Sequence, residues 1–210
     1  MSFFTIPSLI ILASRPGGGK TTLIKFEFYK GAQKKSYDCA IIFTKNIDDK
    51  FEEVIKEDYI YYNYTDKNLA KILKYQNENP SNRLLLIFDD IIGSLDFNSP
   101  LITILVTRYR HFNIGLIFST QYLFKIPPPI RECTSKASIF YQEMKKSMNA
   151  CYETYGESMK SYKAFANYVT QNTEDHKFIV VNGKANNIAS KFEIKKIDIN
   201  SIPKNALIEF

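Results

Sequence analysis

Five apolar residues, Leu9–Ala13, run directly into Ser14-Arg15-Pro16-Gly17-Gly18-Gly19-Lys20-Thr21-Thr22. This order constrains the fold more than any other feature of the chain. It predicts a buried strand, a phosphate-binding loop and then a helix. In such a loop, small residues turn successive backbone N–H groups inward on an anion. The helix start adds unpaired N–H groups and the positive end of its dipole. The ligand implied is a nucleoside triphosphate, with Lys20 on the β- and γ-phosphates and the Thr21 hydroxyl on Mg²⁺. Ser14 to Thr22 together would form the contact. Ser14 stands where the usual pattern opens with Gly, and Ser is small enough for that turn. Arg15 reads as solvent-exposed, with a phosphate-facing orientation as its other reading.

The chain has 210 residues, enough for one α/β domain spanning 1–210 and too few for two of ordinary size. Hydrophobic content of 45% and charge of 24% fit a globular protein. No apolar run approaches the ~18 residues of a membrane span. The apolar start lacks a basic flank, so it does not read as a signal peptide. Cys39, Cys133 and Cys151 are widely spaced and distant from His111 and His176, which implies reduced thiols inside a cell and no structural zinc. The net charge of +6 permits a polyanionic partner without demanding one.

Further strands are expected at Cys39–Phe43, Tyr59–Tyr62, Leu84–Phe88, Ile114–Phe118 and Ala137–Tyr141. Helices are expected from Lys20 to Tyr29, at Phe51–Lys56, after a cap at Asp66, and from Pro100 to Arg110. Ile126–Pro129 reads as a proline-rich connection. Glu143–Tyr168 reads as helical with a break at Gly156. Phe178–Val181 and Lys191–Ile197 read as a terminal strand pair around Asn182-Gly183 and Asn186-Asn187. Strands alternating with helices imply a mostly parallel sheet with helices on both faces, here ending in a C-terminal β-hairpin.

Leu84–Phe88 ends in Asp89-Asp90, about 70 residues after the phosphate loop. A strand ending there would place Asp89 beside the loop, to hold a Mg²⁺-bound water. Asp90 would orient and deprotonate an attacking water. Ile114–Phe118 ends in Ser119-Thr120-Gln121. The Gln121 amide can donate and accept, so it suits sensing a γ-phosphate or positioning water. Arg108 and Arg110 precede that strand, and arginine is suited to transferring phosphoryl charge. Plainer readings exist: a turn pair for the aspartates, a loop residue for Gln121, and a solvated helix end for the arginines.

The order of these motifs, with Arg110-His111-Phe112-Asn113, Ser119-Thr120-Gln121 and Pro129-Ile130-Arg131, resembles the FtsK–HerA superfamily of P-loop ATPases. Within it, the pattern is similar to the genome-packaging ATPases of poxvirus-type large DNA viruses and virophages. The resemblance covers about residues 8–142, and the stretch after Ala150 carries no motif that can be placed. Ser14 and the short N-terminus are departures from the common pattern or features of a clade within it. The resemblance implies a RecA/FtsK-like three-layer sandwich that hydrolyses ATP with Mg²⁺. It implies a homo-oligomeric ring, usually hexameric, moving double-stranded DNA into a capsid and docking on capsid or vertex proteins. The setting would be the virion or the virus factory in the host cytoplasm. Gln121 would couple nucleotide state to motion. An arginine finger for the neighbour's ATP would come from Arg108 or Arg110, with Arg131 third. Lys125, Lys145 and Lys146 are candidates for the DNA backbone, with ordinary surface charge as the plainer reading. A small-molecule kinase and a nucleotide-dependent assembly switch stay open as alternatives. A GTPase is disfavoured, because the Asn-Lys-x-Asp signature is missing.

Overall fold

The computed structural model describes residues 4–183, 185, 188–197 and 208. The strands are β1 (Ser8–Ala13), β2 (Cys39–Thr44), β3 (Ile60–Tyr61), β4 (Leu84–Asp89), β5 (Ile114–Thr120), β6 (Lys136–Ile139), β7 (Lys177–Asn182) and β8 (Phe192–Lys196). The helices are α1 (Lys20–Gln33), α2 (Asp66–Glu78), α3 (Pro100–Arg108), α4 (Pro128–Glu132), α5 (Lys145–Cys151), α6 (Tyr162–Asn172) and α7 (Ile188–Lys191). The strands form one sheet in the order β3-β2-β4-β5-β1-β6-β7-β8. From β3 to β6 every neighbouring pair is parallel, whereas β6–β7 and β7–β8 are antiparallel.

The parallel strands are buried on both faces, which is why they read as continuous apolar runs. Alternate residues serve two cores. Leu9, Ile11, Leu84, Leu86, Leu116 and Phe118 pack with α2, α3, α5 and α6. Ile10, Leu12, Leu85, Ile87 and Ile117 pack with Leu23, Ile24 and Phe28 of α1. Helices therefore cover both faces, and the layers are α/β/α. Phe43, Phe88 and Phe118 are in register on β2, β4 and β5. Their rings stack across the sheet with centroids 5.3 and 5.1 Å apart. Such aromatic cross-strand contacts hold register.

Several sequence expectations shift. The strand order, which the sequence left open, puts β5 between β1 and the strand carrying Asp89. Thr65, not Asp66, caps α2, its hydroxyl accepting from the Asn68 N–H at 3.2 Å. The proline-rich connection folds into α4, with prolines in the first turn, where a missing N–H costs nothing. The Phe51–Lys56 segment forms only a 3-10 turn, Phe51–Glu53. The break at Gly156 closes a π-helical turn, Tyr152–Gly156, after α5. A Cβ there would lie 2.7 Å from the rings of both Tyr152 and Phe165. The terminal strands pair as expected, and Asn186-Asn187 lie outside the described residues.

Candidate nucleotide-binding active site

The C-terminal ends of β1, β4 and β5 meet at the phosphate loop. Gly17 and Gly19 have φ of +67° and +99°, the left-handed region that favours glycine. Gly18 is favoured for a different reason. A Cβ there would sit 1.9 Å from Ser14 Oγ. Ser14 is fully buried, and its hydroxyl donates to the Arg15 carbonyl at 3.0 Å. The serine thus fills space beneath Gly18, so the departure at position 14 is accommodated by the glycine four residues on. The Ser14 N–H donates to the Thr120 carbonyl at 3.1 Å, tying the loop to the end of β5.

Lys20 opens α1 and is buried, with Nζ donating to the Ser14 carbonyl at 3.4 Å. The same ammonium lies 3.6 Å from Asp90 Oδ2. Asp90 has φ of +51°, a region that Asp tolerates better than most residues. This turns the chain off β4 and aims the carboxylate at Lys20. The Gln121 side-chain amide donates to the same Oδ2 at 3.1 Å. Lys20, Asp90 and Gln121 therefore converge from three strands. With Pro16–Thr22 they line a cavity of about 360 Å³.

Asp89 is different in kind. It is fully buried and sits in register between Thr44 and Ser119. Neither of its carboxylate oxygens, nor the Ser119 hydroxyl beside it, completes a hydrogen bond. Burial pushes its carboxyl up to about 7, the Asp90 and Asp49 carboxylates add to the rise, and Ser119 and Lys20 oppose it. A buried carboxylate without a partner is costly, and a hydrated cation would relieve that cost. The half-buried Thr21 hydroxyl and the Asp89 carboxylate are thus the groups that would hold a Mg²⁺ ion. Among the described residues no group of three or more His, Cys, Asp or Glu forms a protein-only metal site.

Four cavity residues escaped the sequence reading: Asn46, Asp49, His176 and Ile197. Asn46 and Asp49 follow β2, where Asn46 Oδ1 accepts from the Asp48 N–H at 3.2 Å. Burial raises the Asp49 carboxyl, and the nearby Asp90 carboxylate adds to the rise. Polar residues at the C-terminal end of a buried strand were a usable signal, the same one that marked Asp89. His176 and Ile197 come from the stretch after Ala150 and carried none. Arg15 does not line this cavity. Its guanidinium lies over the Tyr141 ring, 5.1 Å from the centroid, and 3.7 Å from the Glu143 carboxylate.

The profile described as "Poxvirus A32 protein" matches residues 4–189. The chain belongs to the poxvirus A32 protein family. This A32-family chain is 24% identical over 176 residues to protein 088R of Invertebrate iridescent virus 3, covering 80% of this chain and 67% of that one. It is 23% identical over 169 residues to protein 015R of Frog virus 3, covering 76% of this chain and 49% of that one. The chain thus spans about two thirds of the first relative and about half of the second. Its fold matches the genome packaging NTPase B204 of Sulfolobus turreted icosahedral virus 2, solved with AMP, at a TM-score of 0.68 and 18% identity. That match covers 90% of this chain and 98% of B204. The EssC structure of Geobacillus thermodenitrificans, containing ATPases 2 and 3, aligns at a TM-score of 0.61 and 11% identity. It covers 96% of this chain and 46% of EssC. These structures establish the P-loop NTPase fold of the A32-family chain.

The arginines fall into two groups. Arg108 ends α3 and Arg110 follows it, both exposed and both before β5. They lie beside aromatic rings, Arg108 5.7 Å from the Phe112 centroid and Arg110 5.3 Å from that of Tyr109. Gln121 lies past the other end of that strand, which at seven residues spans about 23 Å. Neither arginine reaches the cavity of its own subunit. Arg131 is buried instead, donating through Nη1 to the Ala150 carbonyl at 3.2 Å and the Thr154 hydroxyl at 2.6 Å. It ties α4 to the end of α5 within the subunit, which removes it from the surface a finger would need. The exposed Lys125 and Lys146 lie over Tyr122 and Phe124, at 5.1 and 4.3 Å from the ring centroids. Lys145 is exposed at the start of α5. No helix among the described residues is long and apolar enough to cross a membrane.

Proposed function

We propose that the chain is the ATP-hydrolysing motor that drives double-stranded DNA into a viral capsid, working as a homo-oligomeric ring, hexameric by family resemblance. The observation that carries the hydrolytic part is the convergence of Lys20 and Gln121 on one oxygen of Asp90. Without nucleotide, Lys20 neutralises Asp90. Incoming phosphates offer Lys20 a stronger anion, and its transfer to them frees the carboxylate. Asp90 then accepts a proton from water held by Gln121. The water oxygen bonds to the γ-phosphorus, the bond to the bridging oxygen breaks, and ADP and phosphate leave. Thr21 and Asp89 would hold Mg²⁺, which would supply positive charge beside the phosphates.

Membership of the A32 family and the fold shared with B204, itself described as a genome packaging NTPase, support the DNA part. Arg108 and Arg110 are exposed cations that a subunit can present to its neighbour's ATP. Lys125, Lys145 and Lys146 are the proposed phosphate contacts, and capsid or vertex proteins the docking partners. The proposed setting is the virion or the virus factory of the host cytoplasm. The test is ATPase rate with and without double-stranded DNA, together with displacement of a third strand from a triplex-bearing duplex. DNA-stimulated turnover with directional displacement supports the reading. Turnover indifferent to DNA at every salt concentration rejects it.

A further inference from the structure

The phosphate loop has a second cavity, of about 480 Å³, on its other side. Gly17, Gly18 and His176 line both cavities, so the two adjoin at the loop. Arg15 and Tyr141 form one wall of the second cavity, and the turn from α6 to β7 forms the other. We infer that this second cavity is the nucleoside subsite, taking base and ribose while the first takes the phosphates. The inference rests on the nucleotide reading of the site and is independent of DNA.

Three observations carry it. First, Arg15 is a loop residue turned away from the phosphates and laid on Tyr141 at 5.1 Å, with Glu143 at 3.7 Å. A guanidinium held over an aromatic ring is a preformed planar surface, and every nucleobase has a π-face to stack on one. Second, the opposite wall is shaped at a backbone cost. Asp175 and His176 both have positive φ, +54° and +59°, and neither is glycine. Consecutive left-handed residues of this kind persist where the surroundings impose them, often at ligand clamps. Here the Lys196 ammonium donates to Asp175 Oδ2 at 2.6 Å and ties the turn to β8. Third, with Asp175 engaged by Lys196, the Glu174 carboxylate and the His176 ring remain as the lining groups for ribose hydroxyls. A carboxylate accepting from ribose is a recurring solution. The turn from α6 to β7, in a part of the chain without a recognisable motif, thereby becomes a nucleoside-reading element.

The test separates nucleoside from phosphate. ATP, ADP and inorganic tripolyphosphate are titrated calorimetrically, with Mg²⁺ and without DNA, into wild type, Tyr141→Ala, His176→Ala and Lys20→Ala. Tyr141→Ala is expected to weaken ATP and ADP about 5- to 100-fold, the range for losing one stacked base. Its tripolyphosphate affinity should stay within twofold of wild type. His176 lines both cavities, so His176→Ala should weaken the nucleotides more than tripolyphosphate. Lys20→Ala should weaken all three. A 2-aminopurine riboside triphosphate gives the second readout: its fluorescence should be quenched on wild type and recover on Tyr141→Ala. Parallel loss of tripolyphosphate in the Tyr141 variant, or unchanged ATP affinity with quenching retained, overturns the assignment. Because no DNA is present, failure here is distinct from failure of the motor reading.

Discussion

The Gln121 amide donates to Asp90 Oδ2 at 3.1 Å, the same oxygen that faces Lys20 at 3.6 Å. One carboxylate oxygen is thus shared by the residue that would bind the phosphates and the residue that would sense them. Gln121 stands at the end of β5, which lies between β4 and β1. A change at the phosphates therefore has a side-chain route to β5, from Lys20 through Asp90 to Gln121.

Asp90→Asn should separate binding from turnover. Asn keeps an acceptor for Gln121 but loses the base. ATP binding should stay within a few-fold of wild type, while turnover falls by about 10²- to 10⁴-fold. Calorimetry beside a phosphate-release assay checks both.

Asp89→Asn should stabilise the nucleotide-free protein. The Asp89 carboxyl is raised by burial, so the folded state holds its proton to higher pH than the unfolded chain does. Wild-type stability should therefore fall as pH rises from about 4 to about 7, and the variant should lack that loss. Thermal melts without Mg²⁺ should show a higher Tm for the variant at pH 8 and little difference at pH 4. Adding Mg²⁺ and ATP should reverse the order, because only wild type gains the ion.

The first strand, loop and helix were readable because their chemistry is contiguous in sequence. Asp89, Asp90 and Gln121 were readable because apolar runs ending in polar residues mark strand ends. Sheet order was not, since insertion of β5 between β1 and β4 depends on long-range pairing. The direction of Arg15 was hidden for the same reason: Tyr141 and Glu143, which hold it, lie more than a hundred residues on. The burial of Arg131, the third finger candidate, was hidden too, because its partners, Ala150 and Thr154, are known only from packing. His176 had no local signal at all.

Gly18→Ala should damage nucleotide binding, and Ser14→Gly should rescue it. The added Cβ would meet Ser14 Oγ at 1.9 Å, whereas its next contact, the Arg15 carbonyl at 3.1 Å, asks for a shift of only a few tenths of an ångström. The double variant should regain most of the affinity that Gly18→Ala loses, a non-additivity that a double-mutant cycle measures directly.

Arg108→Ala and Arg110→Ala test the finger in trans. Whichever is the finger should bind ATP normally and lose DNA-stimulated turnover. Mixing that variant with Lys20→Ala subunits should restore part of the activity, since each supplies what the other lacks. No recovery at any mixing ratio would place the finger elsewhere.

The stacked rings of Phe43, Phe88 and Phe118 stand one residue before Thr44, Asp89 and Ser119. Three strands are thereby clamped into a stiff plate directly behind the carboxylate that would meet the ion. Such a plate bends little, so displacement has to be delivered at its rim: the turn after β2, the reversal at Asp90 and the segment after Gln121. The subunit would then work as a rigid lever with a compliant edge, and its stroke would be set by how far that edge travels.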